Sequence, residues 1–248
     1  MNRVVNHICF DKDGTITDVH QYWAHTCNIR ARELTKRYGL SQNEIEPLLD
    51  VMGIDPVAVQ IKKGGPVGYK PRAEIIESLL RYFASAGVKA NKDDIANTFK
   101  LIDKYQQETN DFKIVLLPGV IDFIEKMSCF GMMLTIYSSD RKDNIQNVLD
   151  QLAIAKHFRA VLGGDSVVNP KPHPEGFLRA CELAGSTPYR SIYISDTVED
   201  LEMAKAGNAA MLIGVETGLA NREELSIMTK RVYKNLSFFK DADLKINP

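Results

Sequence analysis

The sequence predicts an α/β protein: a doubly wound parallel sheet with a helical cap domain inserted after the first strand. Three observations lead to this prediction. Short apolar runs that end in polar or acidic residues recur along the chain, helical patterns separate the later runs, and one long segment near the start reads as helices alone. A chain of 248 residues suits one large domain, or a core with a sizeable insert.

Five apolar runs are predicted to form the sheet. They are VVNHICF before Asp11, MMLTIY (132–137), AVLGG (160–164), SIYIS (191–195) and AMLIG (210–214). The patterns between the later runs repeat apolar residues at i, i+3 and i+4, which is typical of helices. They are GVIDFIEKM, RKDNIQNVLDQL, PEGFLRACELAG and VEDLEMAKAG. Strands that alternate with helices predict a parallel sheet, and ligands of such sheets bind at the carboxyl ends of the strands.

The segment after the first strand departs from this alternation. We predict a catalytic core of residues 1–17 and 113–248, and a helical cap domain of residues 18–112. The cap reads as helices over 22–38, 73–86 and 93–107 and shows no convincing strand. An insert at this point is expected to lie over the strand ends as a lid.

Composition and charge are those of an ordinary soluble protein, with 44% hydrophobic and 25% charged residues. The net charge of −1 and the even spread of Lys and Arg argue against nucleic acid or a membrane surface as a partner. Four cysteines without a CxxC pair predict reduced thiols and no zinc site. No apolar run approaches the ~20 residues of a membrane span, and there is no room for a signal peptide before Asp11, so we expect a cytoplasmic protein. The oligomeric state is not predicted.

Polar side chains follow four of the predicted strands. They are Asp11 and Asp13 after the first, Ser138 and Ser139 after the second, Lys171 in NPKPHPEGF after the third, and Asp196 and Asp200 in SDTVED after the fourth. Carboxylates gathered in one crevice require a cation, and oxygen ligands favour a hard one such as Mg²⁺. A hydroxyl and an ammonium group add donors for the oxygens of an anion. Together these groups predict a phosphoryl-transfer site.

Each of these residues has an ordinary alternative when it is taken alone. Ser138 is typical of a helix N-cap, Lys171 between two prolines is typical of a solvated loop, and Asp196 and Asp200 could cap the next helix. A calcium loop is excluded because Ile16 occupies the position that needs glycine. The joint order and strand-end placement favour the functional interpretation.

These motifs, DKDGT, a strand-end serine, KPHPE and SDTVED, together resemble the haloacid dehalogenase (HAD) superfamily, and VLGGD with KPHPEGF resembles its phosphoglycolate phosphatases. The resemblance covers nearly the whole chain and implies a Rossmann-like core with a type 1 helical cap. It implies that Asp11 is the nucleophile and Asp13 the general acid and base. It further implies that Ser138, Ser139 and Lys171 bind the phosphate.

The metal site is also implied by the resemblance. Mg²⁺ would be bound by Asp11, the main-chain carbonyl of Asp13 and Asp196. Asp200 would act mainly on the groups around the metal and not as a direct ligand. Two departures from the pattern stand beside this site. Lys12 replaces the leucine of many relatives and is expected to touch the cap or to point outward, and Ser195 replaces the usual glycine.

The implied function is a Mg²⁺-dependent phosphatase of a small phosphorylated metabolite, phosphoglycolate or a sugar phosphate. A phosphomutase of the same fold is the alternative, and a receiver-like signalling module is a weaker, non-enzymatic one because it needs about half this length. Within the cap, the cationic loop at residues 61–72 contains Lys63 and Arg72. These two residues are expected either to bind an anionic or polyhydroxyl part of the substrate or to be solvated.

Overall fold

The computed structural model describes residues 5–109 and 114–240. The chain divides into two compact units. Unit 1 consists of Met1–Asp18 and Ile114–Pro248, and unit 2 of Val19–Lys113. The predicted boundary at residues 112 and 113 lies outside the described residues.

The strands and helices are numbered in chain order. The strands are β1 (His7–Phe10), β2 (Ile54–Asp55), β3 (Gln60–Ile61), β4 (Met133–Tyr137), β5 (Phe158–Leu162), β6 (Ser191–Ser195), β7 (Met211–Val215) and β8 (Val232–Tyr233). The helices are α1 (Val19–Arg37), α2 (Ile45–Met52), α3 (Arg72–Ser85), α4 (Lys92–Thr109), α5 (Val120–Cys129), α6 (Lys142–Gln151), α7 (Glu175–Leu183), α8 (Val198–Ala206) and α9 (Arg222–Ser226).

Unit 1 is built on a six-stranded sheet in the order β5-β4-β1-β6-β7-β8. Every neighbouring pair in this sheet is parallel. The carboxyl ends of the strands therefore meet at one edge, and β1 lies at the centre of the sheet between β4 and β6. The predicted α/β class with a parallel sheet is confirmed.

Helices cover both faces of this sheet, because alternate residues of each strand point to opposite sides. On one face Ile8 and Phe10 of β1 pack in a core with residues of α5 and α6. On the other face Cys9 packs with Tyr137, Tyr193 and residues of α7, α8 and α9. Both faces are apolar, as expected for a buried parallel sheet.

The strand predictions are close except at the ends of the chain. The first predicted run starts at residue 4, which lies outside the described residues, and β1 itself begins at His7. The short strand β8 and the short helix α9 were not predicted, since two and five residues are too few to show a period.

Unit 2 contains the four helices α1 to α4 and also a small antiparallel hairpin of β2 and β3. The expectation of no strand in this segment is therefore wrong. The hairpin turn is fixed by Asp55, whose Oδ1 accepts hydrogen bonds from the main-chain N–H groups of Val57 and Ala58, each at 2.9 Å. Strands of two residues give no alternation that a sequence pattern could reveal.

Among the described residues, no helix combines the length and the apolar character needed to cross a membrane.

Candidate active site

Three of the predicted site residues follow adjacent strands at the same edge of the sheet. Phe10 of β1 is in register with Ile136 of β4 and with Ile194 of β6. Asp11, Ser138 and Asp196 come directly after these three strands and are all buried. The main chain of Asp11 is fixed by a hydrogen bond from its N–H to the carbonyl of Ile194 at 2.9 Å.

Lys171 reaches this edge from the loop between β5 and α7. Its Nζ lies 2.6 Å from Oδ1 of Asp11 and 2.5 Å from Oδ2 of Asp200, and all three side chains are about nine-tenths buried. The ammonium group therefore bridges two carboxylates that would otherwise repel each other. Oδ2 of Asp11 accepts no hydrogen bond from any described residue.

The loop that carries Lys171 is held in place by the glutamate of the KPHPE motif. The carboxylate of Glu175 accepts hydrogen bonds from the N–H groups of Val168 and Asn169, at 2.9 and 3.0 Å, and from the side-chain amide of Asn169 at 2.9 Å. These bonds lower the pKa of Glu175, so the carboxylate stays ionised and the loop stays anchored to the start of α7.

Two buried tyrosines flank Lys171. Its Nζ lies 5.2 Å from the centre of the Tyr137 ring and 5.9 Å from that of Tyr193, which is within the range of a cation–π interaction. Tyr137 can occupy this place because Gly176 has no side chain, and a Cβ at that position would overlap the ring. The two tyrosine rings lie beside the ammonium group of Lys171 and shield it from water, in line with the 9% exposure of this side chain.

Asp200 is held by three donors on a single oxygen. Its Oδ2 accepts from Lys171, from the hydroxyl of Ser195 at 3.0 Å and from the hydroxyl of Tyr193 at 3.2 Å. Asp200 lies in the first turn of α8, whose N-cap Thr197 accepts a hydrogen bond from its N–H at 3.3 Å. Ser195, which replaces the usual glycine, therefore has a partner. It orients the carboxylate of Asp200, and that carboxylate in turn orients Lys171.

Burial and charge compete at the two ends of this ion pair. Burial raises the pKa of Asp11 well above its ordinary value, Lys171 opposes that rise, and the nearby Asp200 and Asp196 add to it. Burial by itself would lower the pKa of Lys171, but Asp11 and Asp200 together raise it above its ordinary value. Lys171 is therefore charged at neutral pH.

Asp196 is enclosed between two glycine-containing loops. Its Oδ2 accepts from the N–H of Leu219 at 2.9 Å and its Oδ1 from the hydroxyl of Thr15 at 3.3 Å. A Cβ on Gly14 or on Gly218 would overlap the carboxylate, so only glycine fits on either side. Gly14 also has a φ of +82°, a conformation that glycine adopts without strain.

The surroundings of Asp196 fit a bound divalent cation. Asp196 is fully buried and forms no ion pair with any described residue, and burial raises its pKa to about 7. No described residue donates a hydrogen bond to the main-chain carbonyl of Asp13, which leaves that oxygen available as a ligand. A buried carboxylate without a counter-charge is costly unless a cation pairs with it.

The four predicted carboxylates do not converge on one point. Across residues 5–109 and 114–240, no group of three or more His, Cys, Asp or Glu side chains could hold a metal ion. Oδ2 of Asp200 is bonded to Lys171, and Oδ1 of Asp13 is bonded to Lys12. A cation here would rely on Asp11, Asp196, the carbonyl of Asp13 and water, a ligand set that suits Mg²⁺ because this ion retains several waters.

Lys12 does not point outward, and that expectation is wrong. The side chain is buried, with Nζ 2.7 Å from Oδ1 of Asp13 and 3.5 Å from Oδ2 of Asp140. Burial alone would lower the pKa of Lys12, but Asp13 and Asp140 raise it above its ordinary value, so the group is cationic. The hydroxyl hydrogen of Thr17 is shared between Oδ1 of Asp13, at 3.1 Å, and the main-chain carbonyl of Lys12, at 3.3 Å.

The two serines differ in their surroundings. Ser138 is buried, and its Oγ accepts a hydrogen bond from the N–H of Asp140 at 3.2 Å, which leaves its hydroxyl hydrogen available to a ligand. Ser139 is exposed, and its hydroxyl forms no hydrogen bond with another described residue.

The predicted cap residues both lie in unit 2. The guanidinium of Arg72 lies 2.6 Å from Oδ2 of Asp103, whose Oδ1 accepts from buried Arg30 at 2.8 Å. Among the described residues, one carboxylate thus pairs with two arginines. Lys63 is exposed in the turn that follows β3.

Several residues around these groups were not predicted. Tyr137, Tyr193 and Glu175 position Lys171, while Gly218 and Thr15 enclose Asp196. Tyr193 is a usable signal, because a tyrosine in a buried strand usually has a partner for its hydroxyl, here Asp200. The remaining contacts join loops far apart in the sequence, and no local pattern reveals them.

Known proteins of similar sequence indicate the family of this chain. The family described as haloacid dehalogenase-like hydrolase matches residues 8–213. The chain belongs to this family. It is 31% identical over 231 residues to a phosphoglycolate phosphatase from Salmonella typhimurium, which covers 90% of this chain and 86% of that protein. The predicted resemblance and the prediction of an enzyme of this hydrolase family are confirmed.

Two solved structures share the HAD fold. A predicted phosphoglycolate phosphatase from Haemophilus somnus superposes with a TM-score of 0.68 at 19% identity, over 96% of each chain. A β-phosphoglucomutase from Clostridium difficile gives a TM-score of 0.58 at 21% identity, over 97% of this chain and 96% of that one. At these identities the likeness shows the fold alone.

Proposed function

We propose that this HAD hydrolase is a Mg²⁺-dependent phosphatase that cleaves phosphoglycolate or a sugar phosphate through an aspartyl-phosphate intermediate. The observation that carries the proposal is the setting of Asp11. Its carboxylate is buried at a strand end, and one oxygen is bonded to Lys171 while the other accepts no hydrogen bond from a described residue. A nucleophile in this setting is oriented by one oxygen and attacks with the other.

The residues around Asp11 supply the remaining roles. Oδ2 of Asp11 attacks phosphorus, and the electron pair of the breaking P–O bond passes to the leaving oxygen, which takes a proton from Asp13. Asp13 then removes a proton from the water that hydrolyses the phosphoaspartate, and inorganic phosphate is released. Ser138, Ser139 and Lys171 donate to the phosphate oxygens during both steps.

The Asp11 carboxylate and the phosphate group of the substrate are both anionic, and their repulsion opposes the attack. Lys171 offsets part of it, and the carboxylates of Asp11 and Asp196 with the carbonyl of Asp13 are the groups that would bind Mg²⁺. When bound, the cation neutralises charge on the phosphate and on its ligands. Asp200 keeps the ammonium group of Lys171 in the direction of Asp11.

The relatives and the cap support the proposed substrate class. The relative at 31% identity is named for phosphoglycolate. We further propose that Lys63 and Arg72 bind the part of the substrate beyond the phosphate. The carboxylate of Asp103 supports this role for Arg72, because among the described residues it is shared with Arg30, so that two arginines have one partner.

Release of inorganic phosphate from a panel of phosphate esters tests the proposal. The panel contains phosphoglycolate and several sugar phosphates, each incubated with Mg²⁺ and with a chelator. We expect Mg²⁺-dependent release from at least one of them, and none from an Asp11→Asn variant. Conversion of a sugar phosphate to its isomer without free phosphate would instead indicate a phosphomutase. Phosphate release that is unaffected by the chelator would contradict the metal assignment.

A further inference from the structure

Lys12 is a buried lysine that lies between two catalytic candidates in the sequence. It stands between the proposed nucleophile and the proposed acid, and only 7% of its side chain is exposed. Lysine is rarely buried unless it is paired, because burial removes the hydration of the ammonium group. Its partners are Asp13 at 2.7 Å and Asp140 at 3.5 Å.

The side-chain hydrogen bonds that Asp13 accepts from described residues all go to one of its two oxygens. Oδ1 accepts from Nζ of Lys12 and from the hydroxyl of Thr17, at 2.7 and 3.1 Å. Oδ2 accepts from no described residue, and 42% of the side chain is exposed. The carboxyl group therefore has one fixed oxygen and one open oxygen.

Asp140 anchors the other end of the Lys12 contact. Its Oδ1 accepts from the N–H of Arg141 at 2.7 Å and from the side-chain amide of Asn144 at 2.9 Å, which leaves Oδ2 to face Lys12. Asp140 also donates its N–H to Ser138. Lys12 thus joins the loop of the proposed acid to the loop of the proposed phosphate ligand.

We infer that Lys12 is a positioning residue: with Thr17 it fixes Oδ1 of Asp13, so that Oδ2 is the oxygen that exchanges protons with the leaving group and with water. The inference rests on the proposed function. The two donors on Oδ1 suit both states of Asp13, because a carboxyl group protonated on Oδ2 still accepts through Oδ1. The proton leaves Oδ2 for the ester oxygen as the P–O bond breaks, and a proton from the attacking water restores it.

A purely structural role for Lys12 predicts a different result. If Lys12 only tied two loops together, its loss would slow all substrates alike. If Lys12 orients the proton donor Asp13, the loss in kcat/KM should depend on how much the leaving group needs a proton. An alkoxide needs one, whereas p-nitrophenolate leaves without it.

The test compares Lys12→Met with wild type on two substrates: the best alkyl phosphate of the panel and p-nitrophenyl phosphate. The ratio kcat/KM is measured, since it reports the steps up to loss of the leaving group. We expect a loss of about tenfold to a hundredfold on the alkyl phosphate, the size that a small misplacement of a reacting group causes. We expect a loss of less than about threefold on p-nitrophenyl phosphate, because the donor is not needed there.

Three further variants complete the test. Lys156→Met, which removes an exposed lysine of the same unit, should leave both rates unchanged. Lys12→Arg, which keeps a cation, should recover part of the loss on the alkyl phosphate. Thr17→Val removes the second donor at nearly the same volume and should show the same substrate dependence, so it also serves if Lys12→Met does not fold.

Equal losses on the two substrates in Lys12→Met, or in Thr17→Val where Lys12→Met does not fold, would overturn the inference, and so would no loss at all. These outcomes are separate from a failure of the proposed function, in which the wild type releases no phosphate or Asp11→Asn retains its activity.

Discussion

Replacement of Lys171 by methionine is the perturbation that the site geometry constrains most strongly. The substitution retains most of the side-chain volume but removes the ammonium group between Asp11 and Asp200. Asp200 keeps two hydroxyl donors, from Ser195 and Tyr193. Asp11 keeps none on its side chain among the described residues, so the cost falls mainly on this carboxylate.

The size of the effect follows from burial and distance. Each charge pair lies within 2.6 Å, and about a tenth of each side chain is exposed. Removing one partner of a buried ion pair costs about 3–5 kcal/mol, because the remaining charge stays buried without compensation. For a chain of this size that corresponds to a fall in Tm of about 10 °C.

The loss should depend on pH, and its sign can be worked out. Burial already raises the pKa of Asp11, and Lys171 is the main opposing influence. Without Lys171 the folded protein therefore holds a proton that the unfolded chain, with an aspartate pKa of about 4, releases. Stability then falls as the pH rises, since the folded state binds more protons.

The assay is urea unfolding of metal-free protein at pH 5.5 and pH 8, with Lys156→Met as the control for loss of an exposed lysine. We expect Lys171→Met to lose markedly more stability at pH 8 than at pH 5.5, and Lys156→Met to lose little at either pH. Mg²⁺ should restore part of the loss at pH 8. A loss below about 1 kcal/mol at pH 8, or equal losses at the two pH values, would refute the reasoning.

Three other predictions concern metal, substrate and pH. Asp196→Asn should weaken Mg²⁺ binding in calorimetry far more than Asp200→Asn, because Oδ2 of Asp200 is occupied by three donors; equal affinities would contradict this ranking. Lys63→Ala or Arg72→Ala should raise KM about tenfold or more for the true substrate but not for p-nitrophenyl phosphate, since a charged hydrogen bond contributes about 1.5–3 kcal/mol; parallel changes, or none, would show that neither residue binds the substrate. Burial lowers the pKa of His7 to about 4, so stability should fall by about 3 kcal/mol between pH 6.5 and 4 as the unfolded chain gains a proton that the folded one does not; a His7→Asn variant with an unchanged pH slope would show that another group is responsible.

The sequence was informative where a local period or a chain-order motif determines the structure. β6 and α8 have near-continuous apolar or helical patterns, and their predicted starts at residues 191 and 198 are those observed. Asp11, Ser138 and Asp196 were placed at one edge because parallel strands bring their carboxyl ends together. That argument needs only the order of strands and helices.

The sequence was uninformative where a side chain meets a partner far away in the chain. The sequence leaves an outward-pointing Lys12 possible, but Lys12 is buried against Asp140, a residue 128 positions later, because the loop after β4 lies beside the loop after β1. The strands β2 and β3 cannot be predicted because two residues show no alternation of apolar and polar side chains. Their hairpin depends mainly on the turn, which is held by hydrogen bonds to Asp55.

Identification of the phosphorylated residue during turnover tests the proposed mechanism most directly. Wild-type enzyme is quenched in acid while it cleaves its best substrate in Mg²⁺, and its peptides are mapped by mass spectrometry. We expect one phosphoryl group on Asp11, and neither this group nor hydrolysis above about a hundredth of the wild-type rate in Asp11→Asn. A phosphoryl group on Asp13, or continued turnover by Asp11→Asn, would contradict the assignment of Asp11 as the nucleophile.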